Sequence, residues 1–344
     1  WMERGGFKTT ILGTTKVGQV HFKWFGDTNK LNSLFPEIKV YLTENAVPIT
    51  ENMERRGGGI LKIELLDFTN AEEGLYQLLV HFETCDSMGA NFINSVLENF
   101  ASSLEAFFVN YPTMDDKDRD LHIIMSILSN YTPECVVRSE VSCKIEELGT
   151  FANGIVAEQL AEKFRTAVKI AHIDPYRATT HNKGIFNGID AVILATGNDF
   201  RATEAAGHTY AAKDGQYRSL SYCEINDGIF RFWLDVPLAI GTVGGLTSLH
   251  PLAKKTLDIL GNPSAEKLMR IIASVGLAQN FAALRSLVTT GIQQGHMKMH
   301  MMNILNHLQA SELECKEAML YFNDKTVSFS AVREFLDRYR VENL

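Results

Sequence analysis

Lysine, aspartate and histidine can together hold a negative oxygen and deliver a proton, and the second half of this chain carries one of each in a suggestive setting. In "THNKGIFNGIDAVILATGNDFRA", Thr180 to Ala202, Lys183 stands between Asn182 and Asn187, and Asp199 follows the apolar run Ala191–Ala195. That run reads as a short buried strand with Lys183 and Asp199 at its two ends and few other charges nearby. A lone buried ammonium is expensive, and a carboxylate partner lowers the cost. A cation held in this way can stabilise an oxyanion forming on a carbonyl; the alternative is an ion pair with only a structural task. His296 follows Gly295 in "QQGHMKMH", where a helix start is expected. A mobile histidine there is a candidate proton donor, against the alternative of a structural one. His296 and His300 have the i, i+4 spacing of metal ligands, but no Glu lies between them and no other ligands accompany them, so no metal is expected. No GxSxG elbow occurs, which gives hydrolase chemistry little support.

Two further stretches could meet an anion. "DSMGAN", Asp86 to Asn91, falls at an expected helix start, where backbone N–H groups attract phosphate; equally, Asp86 could be an ordinary N-cap. "GTVGG" (241–245) could approach a phosphate or pack against another backbone. "GGG" at 57–59 reads as a flexible turn. The pattern is not GxGxxG, so a dinucleotide here would not sit on the usual doubly wound fold.

Several elements must position these residues. Alternation marks strands at 17–26, 57–68, 76–83 and 121–131. Met88, Phe92, Val96, Phe100, Leu104 and Phe107 recur at helical spacing and predict one long amphipathic helix. These elements suggest an α+β sandwich over roughly 14–130. Beyond 150 the sequence predicts a helix at "NGIVAEQLAEKFRTAVKIA", a loop at "DPYRATTHNKG", a strand at "AVILAT" and a short helix at "EAAGHTYAAKDG". It also predicts an edge strand containing Pro237 and a helix pair broken at Gly276. A tail from about 291 ends in a helix near 329–340.

The 344 residues are 45% hydrophobic and 22% charged, with a net charge of −8. That is enough for a large core and two domains. No basic stripe suggests nucleic acid, and no apolar run reaches the roughly 18 residues of a membrane span. Five scattered cysteines with no CxxC pair fit a reduced, cytoplasmic protein. No leader is visible, and the Trp1 start reads as a chain whose first part is missing.

Taken together, "DPYRATTHNKGIFNGIDAVILATGNDFRATEAAGHTYA", "DSMGAN", "GTVGG" and "VGLAQNFAALRSLVTTGIQQGHM" resemble the class II, bacterial-type 3-hydroxy-3-methylglutaryl-coenzyme A reductases, from about Gly5 to the C-terminus. The resemblance implies a four-electron reduction of the thioester to mevalonate and free CoA by two nicotinamide hydrides, in isoprenoid biosynthesis. It implies that Lys183 polarises the carbonyl, Asp199 partners Lys183, and His296 protonates the departing thiolate. Arg177 would grip the free carboxylate of the substrate, with Asn182, Asn187 and Gln279 in the same pocket. Asp86, Met88, Gly89 and Asn91 match the "DAMGxN" cofactor signature, with Ser87 in place of its Ala, and Asn130 matches a nicotinamide-side position.

The implied architecture is an α+β chain. Residues 1–13 and 131–290 would form a large substrate domain, 14–130 a ferredoxin-like (non-Rossmann) cofactor domain and 291–344 a helical flap. A homodimer or higher oligomer with shared sites is implied, with no membrane and no nucleic acid. The family's catalytic Glu in a Glu-Pro-Ser motif has no match, so this polypeptide by itself is expected to be inactive. Thr50 aligns where NADH-preferring members carry Asp, with Arg55 and Arg56 nearby. NADPH is therefore favoured over NADH, with coenzyme A entering as part of the substrate.

Overall fold

The structure is a computed structural model that describes residues 1–149, 154–289, 291–322, 325 and 327–342, and only the backbone of residues 246, 248 and 292–299. A short strand, β1 (Lys8–Ile11), opens the chain. The alternating segments then form β2 (Lys16–Trp24), β3 (Gly59–Asp67), β4 (Leu75–Glu83) and β5 (Leu121–Leu128) of one antiparallel sheet in the order β3-β4-β2-β5. Helix α1 (Thr28–Glu54) joins β2 to β3, and α2 (Ala90–Asn110) joins β4 to β5. This βαββαβ order is the ferredoxin-like arrangement.

One face of the sheet is buried. Val20, Phe22 and Trp24 of β2 and Leu78, Val80 and Phe82 of β4 alternate inward and meet α1 and α2 in one core. The sequence under-reads α1, because Pro36 and Pro48 lie inside it and an interior proline costs a helix about 3 kcal/mol. The stripe Leu31, Leu34, Ile38, Leu42 and Ala46 offsets this by burial, each large side chain contributing about 1.5–3 kcal/mol. Asp27 caps the helix by accepting from the Asn29 N–H.

The remaining strands are β6 (Val136–Lys144), β7 (Ser221–Asn226) and β8 (Ile229–Pro237), in a second sheet of order β1-β6-β8-β7. β8 is therefore interior, not an edge. Pro237 is tolerated as its final residue, where it removes little of the ladder.

Between β6 and β7 lie α3 (Ala157–Ile173), α4 (Pro175–Ala195) and α5 (Phe200–Ala211). Helix α4 corrects two expectations: the loop at 174–184 and the strand at 191–196 are the two halves of one helix. Asp174 caps it, accepting from the Tyr176 N–H at 2.9 Å, and Pro175 takes the first turn. Ala178, His181, Ile185, Ile189 and Ile193 bury at helical spacing. The run "AVILA" is thus a helix end whose only deeply buried member is Ile193.

α6 (Leu246–Leu249), α7 (Pro251–Ile259) and α8 (Ala265–Val288) follow, then α9 (Ile292–His307), α10 (Glu312–Tyr321) and α11 (Phe329–Glu342). Gly276 does not break α8. A Cβ there would lie 2.8 Å from Ile189 Cγ1, and one on Gly188 would lie 2.9 Å from Gln279 Cβ and 3.0 Å from the Val275 carbonyl oxygen. These glycines let α4 and α8 cross at close range. α8 is long and apolar enough to cross a bilayer by length and composition, yet Leu268, Ile272, Ala273 and Leu277 are buried within the protein. Contacts divide the chain into two compact units. One comprises Trp1–Ser142, Val168–Glu224 and Arg231–Gln279, the other Cys143–Ala167, Ile225–Phe230 and Asn280–Leu344. In the second, α9, α10 and α11 share a core built on Leu305, Ala318, Val332 and Leu336.

Candidate active site

β4 ends at Glu83, and the chain turns through Cys85 (φ 50°) to Gly89 (φ 90°) before α2 begins. Gly89, not Asp86, is the N-cap. A Cβ there would lie 2.5 Å from Thr84 Cγ2, so both the space and the positive φ require glycine. Among the described residues no side chain caps this helix, and its first turn holds no acid, so its leading N–H groups are available to an anion. The Asp86 carboxylate is spent elsewhere: Oδ1 accepts from the Ala265 N–H at 2.7 Å and caps α8 instead.

The glycine-rich "GTVGG" segment packs against this same turn. A Cβ on Gly241 would lie 2.4 Å from the Met88 nitrogen. Its N–H donates to Asn198 Oδ1 at 2.8 Å, and the Thr242 N–H donates to the Asp86 carbonyl at 2.8 Å. "DSMGAN", "TGND" and "GTVGG", read separately in the sequence, therefore line one cavity of about 430 Å³. Met88, Gly89, Asn91, Asp199, Gly241 and Gly245 all lie on its wall. Behind Met88 a second cavity, of about 20 Å³, is lined by Asn130 and by Lys16, which the sequence reading did not single out.

Asp199 is the N-cap of α5, accepting from the Arg201 and Ala202 N–H groups at 3.0 and 3.2 Å. Its other oxygen meets the Arg201 guanidinium at 2.9 Å. That guanidinium first, and then the helix N–H groups, hold its carboxyl below the usual aspartate range. Lys183 is exposed on α4 and makes no ion pair among the described residues. The expected buried Lys183–Asp199 pair is thus not formed in this chain. The segment between the two residues is helical, so Lys183 faces outward while Asp199 is drawn into a cap.

Arg177 is half-buried, burial lowers its pKa, and it has no hydrogen-bond or ion-pair partner among the described residues. His181 beside it is fully buried and pulled down to about 3 by burial, then by Arg177 and His172. His181 is therefore neutral, with Nε2 2.7 Å from Ser221 Oγ. Asn182 is also fully buried. Its amide donates to the Arg218 carbonyl at 2.8 Å and accepts from the Leu220 N–H at 3.0 Å, so it holds the chain leading into β7. Asn187 and Gln279 are exposed, and Gln279 Cβ adjoins the position beside Asn187, Gly188. His296 lies on the backbone of α9, but its side chain is outside the described residues.

Thr50 is buried at 1% exposure inside α1 and cannot meet a ribose. Arg55 pairs with Glu51. Arg56 is exposed, with no ion pair among the described residues. The Cys85 thiol reaches the Arg56 carbonyl at 3.3 Å, which brings the arginine against the turn before α2. The sequence reading also missed Asp190, on α4, and Glu204, on α5. Burial first, then Glu204, push Asp190 up to about 7, and its Oδ1 is buried without a partner among the described residues. Only a helical reading of 175–195 could have shown Asp190 facing inward.

The hydroxymethylglutaryl-coenzyme A reductase family matches residues 1–301. The chain is 34% identical over 342 residues to 3-hydroxy-3-methylglutaryl-coenzyme A reductase of Archaeoglobus fulgidus, covering 98% of this chain and 74% of that protein. It is 32% identical over 348 residues to the probable 3-hydroxy-3-methylglutaryl-coenzyme A reductase of Borreliella burgdorferi, covering 99% and 76%. Among solved structures it resembles the class II reductase of Streptococcus pneumoniae bound to NADPH in open conformations. That likeness has a TM-score of 0.74 at 34% identity, over 84% of this chain and 75% of that one. A second structure of the Streptococcus pneumoniae enzyme matches with a TM-score of 0.75 over 98% of this chain and 78% of that one.

The Asp190–Glu204 contact generates a prediction. The folded state holds a proton on Asp190 that the unfolded chain has lost, between the ordinary value of 3.8 and about 7. The unfolded state thus binds fewer protons over that window, and stability falls as pH rises through it. Asp190→Asn should raise the melting temperature relative to the parent more at pH 8 than at pH 5. An equal difference at both pH values would show that the pair carries no such linkage.

Proposed function

The chain belongs to the class II hydroxymethylglutaryl-coenzyme A reductases, NAD(P)H-dependent oxidoreductases that reduce the thioester to mevalonate and CoA, and we propose how its residues share that work. The observation that carries the reading is the meeting of three motifs on one cavity at the uncapped start of α2. Free N–H groups, two glycines with positive φ (Gly244 and Gly245) and the amide of Asn91 suit the phosphates and amides of a dinucleotide. We assign Met88, Gly89, Asn91 and Asn130 to that ligand, with Asp86 supporting the turn. Residues 14–130 then act as the cofactor domain, 1–13 and 131–290 as the substrate domain, and 291–344 as the flap.

Two reduced dinucleotides, bound one after the other, would each supply one hydride. Arg177, half-buried and without a partner among the described residues, takes the substrate's free carboxylate, a task suited to a guanidinium. Asn187 and Gln279 border the acyl group. As hydride adds to the thioester carbonyl, the alkoxide that forms is held by the Lys183 ammonium. The C–S bond then breaks, the electron pair leaves with sulfur, and His296 gives the thiolate a proton. The aldehyde left behind accepts the second hydride at the same place, its oxygen again facing Lys183, and takes a proton to become the alcohol. Asp199 orients Lys183 once substrate is present, exchanging the exposed Arg201 side chain for the lysine. Spectrophotometric assay at 340 nm of the protein made from its complete reading frame tests the assignment. Lys183→Ala should lower kcat by at least about a hundredfold, the scale of one lost oxyanion donor, with circular dichroism unchanged. A near-parental rate would remove Lys183 from the mechanism.

NADPH is the proposed cofactor, with Arg56 as the group that meets its 2′-phosphate. Arg56→Ala should raise KM for NADPH about tenfold, the equivalent of one exposed charge-assisted contact, and leave KM for NADH unchanged. Equal effects on both would place the 2′-phosphate elsewhere.

A homodimer with shared sites is also proposed. α4 presents Tyr176, Lys183, Asn187 and Leu194 on one exposed stripe, and α7 exposes Leu252 and Ile259. Such apolar exposure around a functional lysine suits a second copy. Leu194→Glu should halve the mass seen by light scattering and depress activity with it. A parental mass that stays monomeric at assay concentration would exclude the shared site.

A further inference from the structure

Lys16 is the first residue of β2 and is 4% exposed. Its ammonium donates to Thr84 Oγ1 at 2.7 Å, and Thr84 Oγ1 donates on to the Ser87 carbonyl at 2.7 Å. No carboxylate lies within ion-pair distance of it among the described residues. The nearby Glu83 carboxylate is taken up by the Thr14 hydroxyl and the Cys85 N–H. An ammonium has three donors, and a buried one without a counter-ion is costly. Lys16 holds this position on the wall of the small cavity it shares with Met88, Ala90 and Asn130. Thr84 alone does not require a cation, since any small donor would serve it.

We propose that Lys16 sets the preference of the dinucleotide site for the reduced over the oxidised form. The inference rests on the reading above that Met88 and Asn130 meet the dinucleotide, Asn130 on its nicotinamide side; both share the small cavity with Lys16. Loss of a hydride leaves one positive charge on the ring. A fixed ammonium behind the Met88–Ala90 turn repels that charge without touching it, and the positive end of α2 adds to the effect. The reaction consumes two dinucleotides at one place, so the first oxidised molecule must leave before the second reduced one enters. Lys16 favours that exchange. At roughly 8 Å and an effective dielectric of ~20, two like charges change an equilibrium by about tenfold or more.

The test measures dissociation constants of NADPH and NADP⁺, and of NADH and NAD⁺, by titration calorimetry on the protein from its complete reading frame. Comparison is with Lys16→Met and with Thr84→Val, which keeps the charge and loses the hydrogen bond. The oxidised-to-reduced ratio of dissociation constants should exceed one in the parent. It should fall about tenfold in Lys16→Met, chiefly through tighter binding of the oxidised form, and stay near parental in Thr84→Val. If Lys16→Met does not fold by circular dichroism, Lys16→Gln, which keeps a donor for Thr84, should give the same fall. Equal weakening of both forms in the lysine variants, or an unchanged ratio, overturns the inference and leaves Lys16 as a support for the turn. A parent that binds no dinucleotide at all overturns the proposed function itself, and this inference with it.

Discussion

The backbone of Gly241 rests on the backbone at Met88, closer than any side chain would permit. That contact governs how the cavity at the start of α2, the proposed cofactor site, is made. It brings the loop after β8 against the turn between β4 and α2, and two hydrogen bonds, from Gly241 to Asn198 and from Thr242 to Asp86, fix its register. Asp86 also caps α8 through Ala265. One short acidic residue thereby couples the ferredoxin-like sheet to the helix that crosses α4. A side chain at 241 would separate all of these at once, because protein interiors transmit strain rather than absorb it.

In a chain of net charge −8, several positive groups near the candidate site lack a carboxylate partner among the described residues. Among the described residues, Arg177 is half-buried without a carboxylate, Lys16 is buried with only a hydroxyl, Lys183 on α4 has no ion pair, and no side chain caps the N–H groups that open α2. For Lys16 and Arg177, which are removed from water, the lack of a counter-charge is unfavourable. A carboxylate, a phosphate or a developing alkoxide relieves each, and a thioester with a free acid plus a dinucleotide supplies all of these. His181 fits the same pattern from the other side. It is held neutral beside Arg177, so it adds no competing charge to the place where the substrate acid would bind.

How much of this was legible in the sequence depended on which physical signal each segment carried. Period-two alternation located β2, β3, β4 and β5, and the apolar spacing from Phe92 to Phe107 located α2, because burial on one face writes itself directly into residue order. Helix α1 was obscured by Pro36 and Pro48, whose local cost is overcome only by tertiary burial that no local window contains. Segment 174–196 failed for a different reason. β-branched and apolar residues at its end mimic a strand, and Asp174-Pro175, a helix start, also reads as a turn. Gly276 looked like a break because its use, a close helix crossing, depends on Ile189 nearly ninety positions away. Lys183, Asp199, His296 and the two glycine-bearing segments stood out by residue type and setting, whereas Arg177, Gln279 and Asn130 were found by resemblance. The convergence of "DSMGAN", "TGND" and "GTVGG" on one cavity, and the positions of Lys16, Asp190 and Glu204, needed the fold.

The helical state of 175–195 also changes what the lysine can do by itself. On a buried strand Lys183 would already be dry and paired. On an open helix stripe, flanked by Asn187 and Leu194, it is wet, and a solvated ammonium stabilises an alkoxide poorly because water competes and the dielectric is high. Electrostatic catalysis requires the cation to be fixed and water excluded when charge develops. The Asp199–Arg201 pair has the same incompleteness: its arginine is largely exposed and so is readily displaced. Two groups that would act together in a dry site are thus each held apart in the single chain. Covering the α4 stripe would desolvate Lys183 and draw it toward the nearest carboxylate. On the proposed reading, closure over substrate, rather than the folding of one chain alone, would complete the oxyanion site.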